Sequence, residues 1–498
     1  MKALLVYPTI PDTYWSFKHI MKIIGKSAAH VPLGMLTVAS MFPKEWDLKL
    51  IDTNVESLTD QTIQWADKVF ISAMMIQKES VRQIVARCHS LGKTVVAGGP
   101  LFTSSPQEFD DVDHLILNEA EITFPLFVKD LTTGNPRHIY NTVERPDITS
   151  TPLPRWDLIN MKRYASMSVQ YSRGCPFDCE FCDIVNLNGR RPRVKSNEQM
   201  IQELEILYQM GWRGRVFMVD DNFIGNKMKV KSLLRAIRPW QEAKGFPFTL
   251  YTEASVNLAQ DEELMRLMTG AGFDSVFLGL ETPAEECLAE CGKHQNRAMD
   301  LVEAVKTIQR NGMEVMGGFI IGFDNDPPNI FDRQIKFIQN SGVVKAMIGL
   351  LNAPPGSRLY RRLKEEGRLL GGGSGDNCDG SMNFIPKMDP KILREGYDAV
   401  LNYIYSPKEY YARVLEFLST YKPTRRRRIT WLELTAFFNS ILYLGILDKW
   451  SNKIYYWKML FKAFTFHRKS FGEAVSMMIF GYHFRKLLSK QNASEEMS

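Results

Sequence analysis

The segment SRGCPFDCEFC at residues 172–182 decides how this chain is read. It sets Cys175, Cys179 and Cys182 in a C-x3-C-x2-C spacing, directly after a predicted strand at 168–172. Three thiolates on one tight loop can hold three irons of a four-iron four-sulfur ([4Fe-4S]) cluster and leave the fourth iron without a protein ligand. A structural zinc site wants four closed ligands, usually two separated pairs, and no fourth Cys or His follows at suitable spacing. The chain has seven cysteines. An odd number, with three crowded into one loop, points to metal or redox chemistry in a reducing compartment rather than a disulfide framework. Cys287 and Cys291, four apart, share a helical face and read as buried small hydrophobes, while Cys88 and Cys378 stand alone.

Downstream of the loop, strands are predicted at 216–219, 249–253, 275–280, 317–321 and 345–350, with amphipathic helices between them. With the strand before the loop they make six βα units, an open or partial (β/α)6 barrel whose site lies at the C-terminal strand ends. Upstream, runs at 3–7, 48–52, 69–73, 94–97 and 114–117 alternate with helical stretches such as 33–42 and 78–91. That alternation predicts an α/β, doubly wound (Rossmann-like) parallel sheet. The expected division is 1–135 for this domain, 136–165 for a linker carrying Pro146, Pro152 and Pro154, 166–370 for the barrel, and 371–498 for a mainly helical region. The last begins with Gly371-Gly372-Gly373-Ser374-Gly375, read as a flexible loop.

With 498 residues, 45% of them apolar and 24% charged, disorder, collagen and a small disulfide scaffold are excluded. The net charge of +6 is a property of the tail, because residues 422–498 carry +9 and residues 1–421 carry −3. The tail also holds 15 aromatic residues, the run RRRR at 425–428 and the apolar stretch 429–447, which Glu433 and Asn439 interrupt. An interfacial helix with basic and aromatic anchors, or a soluble helical cover for the barrel mouth, fits it better than a bilayer span. No RNA-binding module accompanies the charge, so no nucleic-acid partner is expected. No basic segment followed by an apolar core opens the chain, and the expected location is the cytoplasm, with the tail as a peripheral contact to the inner face of the membrane.

The cysteine loop, with Phe181 in the aromatic position before its last cysteine, resembles that of the radical S-adenosylmethionine (SAM) enzymes. VDDNF at 219–223, YTEAS at 251–255, GLET at 279–282 and GFIIGF at 318–323 end predicted strands, where that family places its SAM contacts. The resemblance makes Asp220, Glu253 and Glu281 candidate acceptors for the ribose hydroxyls or methionine amine. Read alone, each could equally cap the following helix.

The N-terminal domain resembles the cobalamin-binding domain of the cobalamin-dependent radical SAM class through VPLGMLTVASMF at 31–42 and VAGGP at 96–100. Gly98 and Gly99 are its candidate cofactor turn; an ordinary tight βα turn reads equally well. The D-x-H-x-x-G motif for a cobalt-ligating histidine is absent, and His19 and His30 read as loop or helix-surface residues. The whole layout is similar to cobalamin-dependent radical SAM C-methylases, including hopanoid methylases. That resemblance implies a [4Fe-4S] cluster, SAM and cobalamin as cofactors and methylation of an unactivated carbon. It also implies a reductase, flavodoxin or ferredoxin as electron donor, and a lipid or other small-molecule substrate. Two alternatives stay open: a cobalamin-dependent cyclase or rearrangement enzyme without methyl transfer, and a non-enzymatic cobalamin-binding regulator.

Overall fold

In the computed structural model, which describes residues 1–424 and 430–495, six parallel strands form the first sheet. They are β1 (Lys2–Tyr7), β2 (Asp47–Asp52), β3 (Lys68–Ser72), β4 (Thr94–Gly98), β5 (His114–Ile116) and β6 (Ile139–Tyr140). Leu4, Leu5, Val95 and Val96 are buried, as strands with helices on both faces require. The order β2-β1-β3-β4-β5-β6 reverses the winding between β1 and β3 and opens a crevice at their C-terminal ends. β6 lies inside the stretch read as a linker. The rest of that stretch is tied down as well: Trp156 and Tyr164 are buried, and the Tyr164 hydroxyl donates to Asp52 at 2.9 Å.

The second sheet runs in sequence order, all parallel: β7 (Ser166–Val169), β8 (Gly214–Met218), β9 (Phe248–Ala254), β10 (Phe273–Glu281), β11 (Glu314–Ile321) and β12 (Ala346–Leu350). Side chains that point out, such as Val216, Leu250, Leu278 and Val315, are fully buried under the crossover helices. Those that point in, including Arg215, Phe217, Glu253, Phe277 and Ile320, keep part of their surface accessible. The partial barrel therefore encloses a chamber instead of the packed side-chain layers of a closed one. The strand expected at 168–172 is two pieces. β7 stops at Val169, and Ser172–Arg173 pairs antiparallel with Arg193–Val194, because Asp220 takes the Tyr171 N–H and the Ser172 hydroxyl.

An open barrel leaves an edge, and here the C-terminal helices cover it. Tyr397 and Tyr405, on α2 (Pro390–Tyr405), donate their hydroxyls to the β12 carbonyls of Ile348 (3.1 Å) and Ala346, and Tyr14 donates to Ile348 at 3.2 Å. These bonds satisfy carbonyls that would otherwise form a pairing edge. The glycine loop at 371–375 is seated, not free: a Cβ on Gly375 would meet the Ile76 nitrogen at 2.9 Å. After α3 (Pro407–Thr420), the described part of the apolar stretch 429–447 forms α4 (Trp431–Ser440) and a wide helical turn at Ile441–Ile446. α5 (Trp450–Phe466) and α6 (Phe471–Glu495) follow. Among the described residues no helix is long and apolar enough to cross a membrane. The arginine run at 425–428 lies outside the described residues.

Candidate active site

The cysteine loop leaves β7 at the C-terminal mouth of the barrel. Its first turn needs Gly174, at φ +98, where the carbonyls of Asn188, Gly189 and Arg191 crowd within 2.8–3.1 Å of any Cβ. All three thiols are free and partly accessible. Burial raises the pKa of each; Cys179 adds to the shifts of Cys175 and Cys182, and Cys175 adds to that of Cys182. Two amides reach the sulfurs: Asn222 Nδ2 donates to Cys175 Sγ at 3.8 Å, and Gln295 Nε2 to Cys179 Sγ at 3.9 Å. The Gln295 Oε1 beside them is buried and unpartnered. Among the described residues no three His, Cys, Asp or Glu side chains converge where a single ion would sit. A cluster spreads three thiolates over three irons and needs no such convergence, so the residues fit a cluster better than a lone metal.

The predicted carboxylates take different places. Asp220 is buried, with its two oxygens bonded to Tyr171 N (2.8 Å) and Ser172 Oγ (2.5 Å). Its neighbour Asp221 accepts from Gly174 N at 2.7 Å and from the Asn188 amide. Both brace the base of the cysteine loop. Burial pushes Asp220 up to about 7, against the pull of those hydrogen bonds. Glu281 sits at a bulge in β10 with φ +62 and pairs with the buried Lys293. Burial alone would lower Lys293, but Glu281 and the nearby Cys179 outweigh it and keep the ammonium charged. Gly279 is required here, because a Cβ would collide with both members of the pair. Glu253 alone has no hydrogen-bond partner among the described residues. Burial, with Asp221 and Asp220 close by, pushes it up to about 8. An acid that points into a chamber without a partner is suited to meet a cationic or hydroxyl-bearing ligand.

Asp221, Asn222, Lys293 and Gln295 escaped the sequence reading as individual residues. The doubled acid and amide of VDDNF was an available signal; for Lys293 and Gln295, only their position after GLET hinted at a role.

The first domain is clamped to this mouth. Glu119, just beyond β5, binds Arg173 at 2.8 Å and Arg193 at 2.7 Å, and Glu121 adds a second contact to Arg173 at 2.8 Å. Gly98 ends β4 and Gly99 follows it, and both are demanded by internal packing. A Cβ would meet Ile116 O or Ser72 Oγ at 2.8 Å, and Gly99 has φ +97. The two histidines are half-buried. His30 packs on Phe217 and Tyr251 (ring centroids 5.4 and 6.3 Å), with its Nε2 buried, and His19 packs on His483 of α6. No histidine lies in the loops that follow β1, β3 or β4, so a ligand bound at this crevice would meet none from those loops. The segment after β1 instead crosses into the barrel, where Trp15 stands 5.0 Å from Phe277.

Comparison with known proteins bears on all three regions. The family model for the B12 binding domain matches residues 26–128, that for the Radical SAM superfamily matches 169–338, and one for a domain of unknown function matches 357–497. An uncharacterized methyltransferase of Synechocystis sp. is 45% identical over 83% of this chain and 78% of its own length. The hopanoid C-2 methylase of Rhodopseudomonas palustris is 36% identical over 78% of this chain and 75% of its own. This chain belongs to the B12-binding radical SAM methyltransferases. The family's reaction is cobalamin-dependent radical SAM methylation, with a [4Fe-4S] cluster, SAM and cobalamin as cofactors. The fold is shared with a solved enzyme over nearly all of the chain. The radical SAM methyltransferase TsrM from Kitasatospora setae, solved with cobalamin and a [4Fe-4S] cluster, superposes with a TM-score of 0.62 at 13% identity, over 97% of this chain and 99% of that one.

Proposed function

We propose that this B12-binding radical SAM methyltransferase methylates an unactivated carbon of an apolar lipid, with a hopanoid as the first candidate. The observation that carries the substrate class is the chamber wall. Trp15, Phe217, Tyr251 and Phe277 face inward, with Phe217 and Tyr251 stacked at 4.7 Å, and Phe217 and Phe277 keep accessible surface in the barrel interior. Flat aromatic walls recognise hydrocarbon by contact area and leave few polar groups for a polar substrate to pair with. The identity to the hopanoid C-2 methylase supports the same class.

In this reading Cys175, Cys179 and Cys182 hold the cluster, and Asn222 and Gln295 donate to two of their sulfurs. Glu253 accepts the amine or a ribose hydroxyl of SAM, and the Glu281–Lys293 pair fixes the bulge beside the cluster loop. Asp220 and Asp221 keep the loop in register with β7. Gly98 and Gly99 shape the turn at the cobalamin side. The bound cofactors supply the radical and the methyl group; the protein aligns them and keeps water out. A reductase, flavodoxin or ferredoxin supplies electrons, and the enzyme works in the cytoplasm at the inner face of the membrane.

The test is reconstitution with iron, sulfide and cobalamin, followed by incubation with methyl-labelled SAM, a low-potential reductant such as dithionite or reduced flavodoxin, and a lipid extract. Label in a polycyclic lipid, with 5′-deoxyadenosine and S-adenosylhomocysteine in equal yield, is the expected result. Label confined to polar small molecules, with the lipids unlabelled, would overturn the substrate class.

A further inference from the structure

α5 exposes a stripe that a soluble helix would bury. Trp450, Ile454, Trp457, Phe461 and Phe464 recur at spacings of four and three, which puts them on one side of the helix. They are 77%, 40%, 45%, 68% and 61% exposed. The opposite side, with Tyr456, Met459 and Ala463, is buried against the rest of the C-terminal region. The helix is therefore packed through one apolar face and presents a second to the outside. On α4, Trp431 (83%) and Phe438 (63%) are exposed as well, and Phe471 joins the two helices by packing on Phe437 of α4 and Phe464 of α5. Exposed apolar side chains gathered in this way mark a docking site.

Charge selects the occupant. At about 100° per residue, Lys453 and Lys458 fall on the two flanks of the stripe, with Lys462 one turn beyond Lys458. Arg468 and Lys469 follow α5, and Arg468 lies over the Phe464 ring at 5.5 Å. Between residues 430 and 470 the only acids are Glu433, engaged in the N-terminal cap of α4, and Asp448, within 4.0 Å of Arg485. A second copy of the chain docked through the same stripe would bring lysine against lysine. An anionic bilayer surface instead meets the lysines with phosphates and the aromatic stripe with the acyl boundary, where Trp is favoured.

We propose that the α4–α5 face is a membrane-docking platform that lies on anionic phospholipid with the α5 stripe inserted. The proposal rests on the lipid-methylase reading for its purpose, but its physical test does not need catalysis. The platform is also connected to the chamber. Asn439 of α4 donates to Ile23 O at 2.7 Å, at the end of α1 (Lys18–Ile24), and α1 begins directly after Trp15–Phe17, the segment that enters the barrel. One seven-residue helix, about 10 Å long, separates the docked surface from the chamber-lining segment.

The experiment is co-sedimentation of the full-length protein with vesicles of equal parts phosphatidylcholine and phosphatidylglycerol, and with pure phosphatidylcholine. Trp450→Glu with Phe461→Glu is compared with Met228→Glu, an exposed control on another helix. Binding to the anionic vesicles that falls at least tenfold in the double variant, and is unchanged in the control, supports the platform. Vesicle binding absent in the wild type, or unaltered in the double variant, overturns it. So does a wild-type dimer that the double variant converts to monomer without any vesicle binding. Methylation of detergent-dispersed lipid is read separately. A double variant that still methylates dispersed lipid but no longer sediments supports the platform and leaves the substrate reading intact. Wild-type protein that sediments but never labels lipid supports the platform and removes the substrate reading.

Discussion

The two ends of the barrel interior both carry charge, and they treat it in opposite ways. At the N-terminal end Arg215 forms a two-pronged pair with Asp274 (2.9 Å twice) and reaches Ser275, while Lys345 pairs with Glu314 at 3.0 Å. At the C-terminal mouth Asp220 and Asp221 are consumed by backbone and side-chain donors, Glu281 has Lys293, and the Glu253 carboxylate has no partner among the described residues. A charge with a fitted partner holds strands together; an acid kept in a chamber without one raises stability only when something else comes to meet it. The contrast separates scaffold from site without reference to any bound group.

The largest expected effect lies at the mouth. Replacing Cys175, Cys179 or Cys182 with Ala should reduce 5′-deoxyadenosine formation by more than about a thousandfold, since a cluster with two thiolates no longer holds its open iron in place. Assay of reconstituted variants checks this. A variant that cleaves SAM at a tenth of the wild-type rate would take that cysteine out of the cluster.

Glu253 gives the next effect. Its ordinary pKa near 4.5 rises to about 8 in the folded protein, chiefly by burial and then by Asp221 and Asp220. Between those values the native state holds a proton that the unfolded chain has lost. The stability of the cofactor-free protein should therefore fall as pH rises from about 4.5 to 8, with the full contribution present only below that window. Glu253→Gln removes the titration, and its margin over wild type should widen with pH, from under about 1 kcal/mol near pH 5 to about 4 kcal/mol near pH 8. Melting curves across that range, compared pairwise, isolate Glu253 from Asp220, which shifts the same way. The same variant should bind SAM about tenfold more weakly, the worth of one charge-assisted hydrogen bond. A flat difference in melting temperature across the range would mean that Glu253 already has a partner, and the contrast between the two ends would collapse.

At the paired end the prediction reverses. Arg215→Met or Asp274→Asn alone should cost about 1–2 kcal/mol, because each removes the opposite charge of a two-pronged pair and leaves Ser275 as a neutral neighbour. The double variant should cost less than the sum of the two. A double-mutant cycle by chemical denaturation measures the coupling, and additive losses would remove the scaffold role of the pair.

What was legible in the sequence follows from the range of the interactions. Strands buried on both faces announce themselves as apolar runs, and every strand read in the two sheets forms within a few residues of its expected place. The cysteine triad is a local spacing and needs no partner to be recognised. Ile139–Tyr140 is too short to show a pattern beside the prolines. The contacts of Gln295 with Cys179, Lys293 with Glu281 across the bulge, and Glu119 with Arg193 join residues that the fold alone brings together. The packing around His19 and His30 was hidden for the same reason. Nothing adjacent to them announces that a helix from the far end of the chain, carrying His483, and two barrel strands will cover them.

The smallest expected effect tests how the open edge of the barrel is closed. The Ile348 carbonyl accepts from both Tyr14 and Tyr397, at 3.2 and 3.1 Å, so one hydroxyl can be lost and the acceptor stays satisfied. Tyr397→Phe alone should therefore cost only about 0.5 kcal/mol, below the typical worth of a buried hydrogen bond. Tyr14→Phe combined with Tyr397→Phe leaves the carbonyl bare at a buried edge and should cost about 2 kcal/mol, more than the two single losses added together. Urea denaturation of the three variants checks this. If the double loss is no more than the sum of two small losses, the hydroxyls are dispensable, and the edge is closed by the apolar cover that the rings keep in the Phe variants. If the double loss exceeds it, the hydroxyls close the edge, and the C-terminal helices belong to the barrel as covalent neighbours that complete its hydrogen bonding. In the second case the platform on α4 and α5 is coupled to the chamber through the barrel wall as well as through α1.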